Sequence, residues 1–317
     1  PELKLGKTIY SSDVIDRHIN SCLDLDIIKN TNVIEKISKR NLKVVVDAVN
    51  ASGSIIVPKL LEKLNYQVIT INCDSSGIFP HTPEPIPANL TELANKVKSE
   101  KADFGVAVDP DADRLVLIDE NGDPIGEEKT IVFAAKAVFE YYQNTESLVA
   151  TVNLSTSNMI VELAAQYGAR IEHSPVGEIN VVEKMKVNNS IIGGEGSGGV
   201  VFPRAHYGRD SLVGVSLLSY VLSNTSKTLS EICNNLPKFE MIKTKQDFTG
   251  DFNLIKIKVE ELFKNNRLNF EDGIRIDLEE AWVQIRKSNT EPIIRIIAEA
   301  KTKELAQSLI DKIANII

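Results

Sequence analysis

Short apolar runs of strand length alternate along this chain with stretches of helical period. Residues 13–25 read as a helix. Residues 43–49 (KVVVDAV) read as a strand, 51–54 as a tight turn, and the stretch that follows places Leu60, Leu61 and Leu64 on one helical face. Gln67–Ile71 is the next strand, so the first βαβ unit predicts a parallel sheet with a right-handed crossover. Residues 79–87 (FPHTPEPIP) hold four prolines and exclude regular structure. A helix carrying Leu90, Leu93 and Val97 leads to two apolar strands, 103–108 and 115–118. The rhythm then repeats: helix 129–142, strand 147–152, helix 158–167 ending at Gly168, a short helix 181–186, a short strand 191–192, a glycine-rich loop and the apolar helix 211–222.

Pro237 marks a change of order. Strands 282–286 and 293–300 flank a loop, and a closing helix places Leu305, Leu309, Ile313 and Ile316 on one face. The pattern predicts two tandem three-layer α/β domains with mixed sheets, residues 1–120 and 121–236, and a smaller C-terminal α+β domain, 237–317. Two or three domains also suit 317 residues. The net charge of −8 argues against a nucleic-acid or anionic-membrane partner, so an anionic ligand needs local Arg and Lys. No apolar run reaches the length of a membrane span. Cys22, Cys73 and Cys233 are odd in number and widely spaced, which suits reduced thiols and a cytoplasmic location.

Three loops carry candidate chemistry. In the first, Asp109, Asp111 and Asp113 occupy alternate positions between two apolar strands, with Arg114 next. Three repelling carboxylates call for a cation, and their hard oxygens suit Mg²⁺, Mn²⁺ or Ca²⁺ better than Zn²⁺. On an extended strand they would stand about 6.8 Å apart, so the backbone must curl. An EF-hand register fits the acids but places Arg114 where glycine is required and strands where helices are required. A solvated acidic turn is the plain alternative.

The second loop, residues 193–199 (GGEGSGG), contains G-x-G-x-x-G, but a strand rather than a helix follows, which disfavours dinucleotide binding. Its glycines are expected to clear space beside a ligand whose hydroxyls meet Glu195 and Ser197; a flexible hairpin tip is the alternative. The third loop, residues 286–292 (RKSNTEP), offers Arg286, Ser288, Asn289 and Thr290, a guanidinium fork beside a turn able to form an anion nest, or else an ordinary hairpin loop.

In this order the three loops resemble those of the α-D-phosphohexomutases. The resemblance implies Mg²⁺ on Asp109, Asp111 and Asp113, with Arg114 near the transferred phosphoryl group. It implies that Glu195 and Ser197 hold the sugar, and that Arg286, Ser288, Asn289 and Thr290 hold the non-reacting phosphate. It also implies interconversion of hexose 6-phosphate and hexose 1-phosphate through a phosphoserine enzyme, with a hexose 1,6-bisphosphate as intermediate and activator. The three domains would be the second, third and fourth of four. The family's Thr-Ala-Ser-His-Asn-Pro loop, whose serine carries the phosphate, has no counterpart in these 317 residues. The serine domain is therefore expected elsewhere in the natural protein, and these residues alone are expected to be inactive. Residues 175–185 and 206–210 look most like phosphoglucosamine mutases, with glucosamine phosphate as substrate and Glu178 as a candidate acid/base. Gly199 stands where many members have His. Phosphomannomutase/phosphoglucomutase activity and a non-catalytic sugar-phosphate binder are the alternatives.

Overall fold

The computed structural model describes residues 11–288 and 291–317. Asn289 and Thr290 of the third loop, both expected to hold phosphate, lie outside the described residues. The first unit opens with helices α1 (Val14–Leu23), α2 (Asp26–Lys29) and α3 (Val33–Arg40). Next come β1 (Lys43–Asp47), α4 (Gly53–Lys63), β2 (Gln67–Ile71), α5 (Thr91–Glu100), β3 (Phe104–Val108) and β4 (Leu115–Asp119). Its sheet runs β2-β1-β3-β4, parallel except for the antiparallel β4. Side chains alternate across the sheet as the strand pleat requires: Val44 and Val46 enter one core, and Val45 the other, under Leu93 and Val97 of α5.

The second unit repeats this plan. It holds α6 (Glu128–Tyr142), β5 (Val149–Asn153), α7 (Met159–Gln166), β6 (Arg170–Ser174), α8 (Glu178–Asn188), β7 (Ile192–Glu195), β8 (Gly199–Val201), α9 (Ser211–Ser223) and α10 (Leu229–Asn234). The sheet order is β6-β5-β7-β8, again with one antiparallel edge strand. The expected mixed sheets are therefore present in both units. Helix α8 begins three residues before the stretch that carries the apolar signal, because Gly177, at φ 118°, redirects the chain into it.

Helix α9 explains how the two units join. It is buried around most of its circumference, from Ser211 to Leu222. A helix apolar on all sides must be covered on all sides. It packs on α1, α2, α3 and α4 of the first unit and on α6 of its own, so one continuous core spans both units.

The C-terminal unit comprises β9 (Glu240–Asp247), α11 (Phe252–Leu262), β10 (Arg267–Asn269), β11 (Ile274–Asp277), β12 (Ala281–Lys287), β13 (Ile293–Ala300) and α12 (Lys303–Ala314). Its antiparallel sheet, β10-β11-β12-β13-β9, encloses a separate core with the two helices. The buried stripe of α12 is Ala306, Leu309, Ile310 and Ile313. Leu305, expected on the apolar face, lies outside the buried stripe and is exposed, because the helix centres that face between Leu309 and Ile310.

The other face of this sheet docks on the second unit through buried polar groups. Glu299 accepts from the Trp282 indole and from the backbone N–H of Asn158, each at 2.7 Å. Arg275 lies over Trp282, 4.2 Å from the ring centroid, and donates to the Leu154 carbonyl. The Ser155 hydroxyl donates to Gln284 at 2.5 Å, and Val176 N–H to Asp272 at 2.8 Å.

Burial, and then the charge of Arg275, push the nearby His173 imidazole down from 6.5 to about 4. The unfolded chain therefore binds a proton that the folded chain refuses. His173 costs no stability above its unfolded pKa, and as pH falls from 6.5 through 4 stability is lost, by up to about 3 kcal/mol. Urea melts at pH 7 and at about pH 4.5 are expected to show a smaller acid loss in His173→Gln than in the unaltered chain. An equal loss in both would refute this.

Candidate active site

The first two loops are built against each other. Asp109 follows β3 directly and is buried, 2% exposed. Its Oδ1 accepts the backbone N–H groups of Asp113 and Arg114, at 3.2 and 3.1 Å, and its Oδ2 accepts Arg114 Nε at 2.5 Å. Ala112 takes φ +58°, which supplies the expected curl. Its carbonyl accepts from the Ser211 hydroxyl at 2.7 Å, and the Pro110 carbonyl accepts from the Ser52 hydroxyl at 2.7 Å. As a result one oxygen from each of Asp109, Asp111 and Asp113 falls within 4.8 Å of the others.

Asp113 Oδ1 is buried without a hydrogen-bond partner. Burial, then the neighbouring Asp109 carboxylate, raise the Asp113 carboxyl to about 6. An orphaned acceptor among crowded like charges, with oxygen donors only, fits a hard divalent cation such as Mg²⁺.

Strands β7 and β8 form a hairpin that carries Glu195 and Ser197. Leu115 N–H donates to the Gly198 carbonyl at 3.0 Å, and Arg114 bridges Gly199, so the hairpin tip is stitched to the aspartate loop. The glycines make room for protein rather than for a ligand. A Cβ on Gly194 would stand 2.2 Å from the Gly199 carbonyl, and one on Gly196 would overlap the Glu128 carboxylate. Gly198 sits at φ +95°, and its Cβ would meet the Leu115 carbonyl at 2.6 Å. Gly198→Ala is therefore expected to cost about 2 kcal/mol in a urea melt and to loosen both loops; a loss near zero would contradict the close approach.

Glu195 is also buried, 4% exposed. Its Oε1 accepts from Asn153 at 2.7 Å and from Gly177 N–H at 3.0 Å, and its Oε2 from Arg209 at 2.7 Å. Three donors leave a carboxylate about one more acceptor site. Arg209 is the residue that sequence reasoning did not assign. Besides Glu195 it pairs with Asp113, while its Nε lies 3.7 Å from Glu178. Glu178, the first residue of α8, accepts the Arg209 backbone N–H at 2.8 Å. One guanidinium thus joins the aspartate loop, the glycine-rich hairpin and Glu178. In the sequence it lies within the stretch 206–210 noted for its resemblance, directly before the N-cap Asp210, with no role marked for it.

A cavity of about 550 Å³ opens where the three units meet. The first unit contributes Arg114 and, from the proline-rich stretch, Glu84 to Ile86; the second contributes Glu178, Glu195, Ser197 and Arg209. The C-terminal unit contributes Arg286, Arg295 and Lys243. Arg286 and Arg295 are cross-strand partners in the β12–β13 register, and Arg286 Nε donates to Asp272 at 2.9 Å. Two guanidiniums directly opposite each other repel unless an anion lies between or above them. Ser288 stands at the β12 exit, its Oγ accepting from Glu291 N–H at 3.3 Å, outside the cavity lining. Of the third loop's expected phosphate ligands, then, Arg286 reaches the cavity, with Arg295 and Lys243 in places that the loop motif did not mark.

Models of phosphoglucomutase/phosphomannomutase domains match the chain in order: α/β/α domain II over residues 23–122, α/β/α domain III over 126–239, and the C-terminal domain over 254–316. The chain belongs to the α-D-phosphohexomutase superfamily. This phosphohexomutase chain is 40% identical to a phosphoglucomutase/phosphomannomutase of Thermococcus kodakarensis, over 90% of its own length and 63% of that protein. It is 32% identical to a phosphoglucosamine/phosphogalactosamine mutase of Sulfurisphaera tokodaii, with the same coverage. It is 35% identical to a probable phosphoglucosamine mutase of Methanococcoides burtonii, over 99% of its own length and 68% of that protein. It thus spans a little under two thirds of the first two relatives. The fold matches a putative phosphomannomutase of Thermus thermophilus, with TM-score 0.74, 22% identity and coverage of 97% of this chain and 66% of that one. It also matches an Aspergillus fumigatus N-acetylphosphoglucosamine mutase solved with GlcNAc-6P and magnesium, with TM-score 0.67, 13% identity and coverage of 98% and 66%.

Proposed function

We propose that this phosphohexomutase chain serves the interconversion of glucosamine 6-phosphate and glucosamine 1-phosphate through a phosphoserine enzyme and a bisphosphate intermediate. The observation that supports this reading is the charge layout of the cavity. The second unit lines it with a carboxylate that has one spare acceptor site, and the C-terminal unit lines it with a cross-strand arginine pair. The acidic groups able to hold a cation stand behind its wall in the first unit, paired with the lining residues Arg114 and Arg209. The bisphosphate intermediate presents complementary groups: a reacting phosphoryl, hydroxyls and a second phosphate at the other end.

In this reading Asp109, Asp111 and Asp113 hold Mg²⁺, which when bound neutralises charge on the transferring phosphoryl group. Arg114, fixed by Asp109, donates to the same group. Glu195 and Ser197 accept from and donate to sugar hydroxyls, while Arg286, Arg295 and Lys243 hold the phosphate that does not react. Glu178, at the cavity wall, takes the proton of the attacking hydroxyl and returns one on the reverse step. These 317 residues alone are expected to bind hexose phosphates without turnover, since no residue among them is assigned the phosphate-carrying serine's role.

The 40% identity to a phosphoglucomutase/phosphomannomutase favours a second reading, in which mannose and glucose phosphates are the substrates. A kinetic panel on the polypeptide as its own cell makes it decides between them. Highest kcat/KM on glucosamine 6-phosphate supports the first. A strong preference for mannose 1-phosphate or glucose 1-phosphate replaces it with the second. Magnesium-dependent binding without turnover would instead describe a sugar-phosphate-binding relative.

A further inference from the structure

The aspartate loop is one of two clusters of metal-ligating side chains among the described residues. We propose that His18, Cys22, His206 and Asp210 form a second metal site, for a borderline transition ion of the Zn²⁺ class. His18 and Cys22 stand one turn apart on α1 and so share a face of that helix. His206 and Asp210 have the same spacing in the segment before α9. Two pairs of ligands, each with three residues between its members and drawn from separate elements, are a usual way for a chain to supply a four-coordinate ion.

The donor atoms converge. Both histidines point Nε2 at the same Asp210 Oδ2, each at 2.8 Å. Their rings are 6.0 Å apart between centroids. Donor atoms of His18, Cys22 and Asp210 all lie within 4.8 Å of one another. His18 stands with Cys22 and Asp210 in one group of donor atoms, and His206 joins it through Asp210 Oδ2. Asp210 is held for the task by its other oxygen. Oδ1 accepts the N–H groups of Leu212 at 2.8 Å and Val213 at 3.3 Å, capping α9 and leaving Oδ2 directed at the cluster. The Cys22 side chain is fully buried.

The donor set separates this site from the aspartate loop. Two imidazoles, a thiolate and one carboxylate oxygen suit Zn²⁺ or Co²⁺ and disfavour Mg²⁺. Binding removes the thiol proton of Cys22 to solvent, leaving the thiolate as ligand. The ion would tie α1 of the first unit to the segment that carries Arg209, the residue that spans Asp113 and Glu195. Its role is to position that segment, not to take part in phosphoryl transfer.

The test is a Co²⁺ titration of the full chain with excess Mg²⁺ occupying the aspartate loop, followed by absorbance. One equivalent is expected to give a sulfur-to-cobalt charge-transfer band, which the oxygen-only aspartate site cannot produce, and Zn²⁺ is expected to bleach it. Cys22→Ser should abolish the band. His206→Gln, at a half-exposed position that spares the core, should weaken Co²⁺ binding on the order of tenfold or more. Absence of the band in the unaltered chain overturns the proposal. So does a band that survives Cys22→Ser, which would place the ion on Cys73 or Cys233, or an affinity unchanged in His206→Gln. None of these outcomes depends on which sugar phosphate the cavity accepts.

Discussion

Asp111→Asn, made in the complete catalytic polypeptide, is expected to lower kcat on the order of a thousandfold while sugar-phosphate affinity changes little. The three aspartates are not equivalent. Asp109 is buried and already accepts three hydrogen bonds that shape the loop, so its loss would disturb the backbone as well as the cation. Asp113 is engaged by Arg209. Asp111 is exposed and makes no hydrogen bond or ion pair among the described residues, so its carboxylate has no structural task. Asparagine keeps the shape and removes the charge. Thermal unfolding should therefore be unchanged, and calorimetry with a hexose phosphate should still show binding. Unaltered turnover would remove the cation from this loop. A large fall in melting temperature would mean that Asp111 holds the fold.

Arg209→Met should cost about 3–5 kcal/mol of stability in the absence of divalent cation. The substitution keeps most of the side-chain volume and removes the counter-charge of Asp113 and Glu195, whose side chains are 17% and 6% exposed. Two carboxylates taken out of water would then face each other's elements unpaired. Mg²⁺ should restore part of the loss, because a cation on the aspartate loop replaces the missing charge beside Asp113. Arg209→Lys should recover less than charge alone predicts, since one ammonium cannot make the forked contact to both acids. Urea melts of the three forms with and without Mg²⁺ make the measurement. A cost below about 1 kcal/mol, or no Mg²⁺ response, would show that Arg209 is a surface ion pair of the weak kind.

Much of this molecule can be read along the chain because the relevant signals are local. Strands β2 and β13 lie where the apolar runs place them, and the acidic loop sits between the two predicted strands. Glycine spacing marks the β7–β8 turn. The short helices α2 and α3, strand β6 and most of the C-terminal unit before β12 carried no comparable signal. Most of these segments are short, from three to eleven residues, so a local pattern is weak in them and tertiary packing supplies the stability.

The chemical groups of the site were legible as residue types: three aspartates, Glu195 with Ser197, and Arg286. What each is free to do was not. The sequence alone determined the layer order, the two mixed sheets and the all-oxygen character of the first loop, because periodicity and ligand chemistry are properties of neighbouring residues. Only the tertiary structure decided that the glycines serve protein packing, that Arg209 joins three acids, and that Arg295 stands opposite Arg286. It alone brings His18 and Cys22 to His206 and Asp210, nearly two hundred residues away. Those facts depend on strand register, on a helix buried on all sides between two units, and on backbone approaches that no short window of sequence contains.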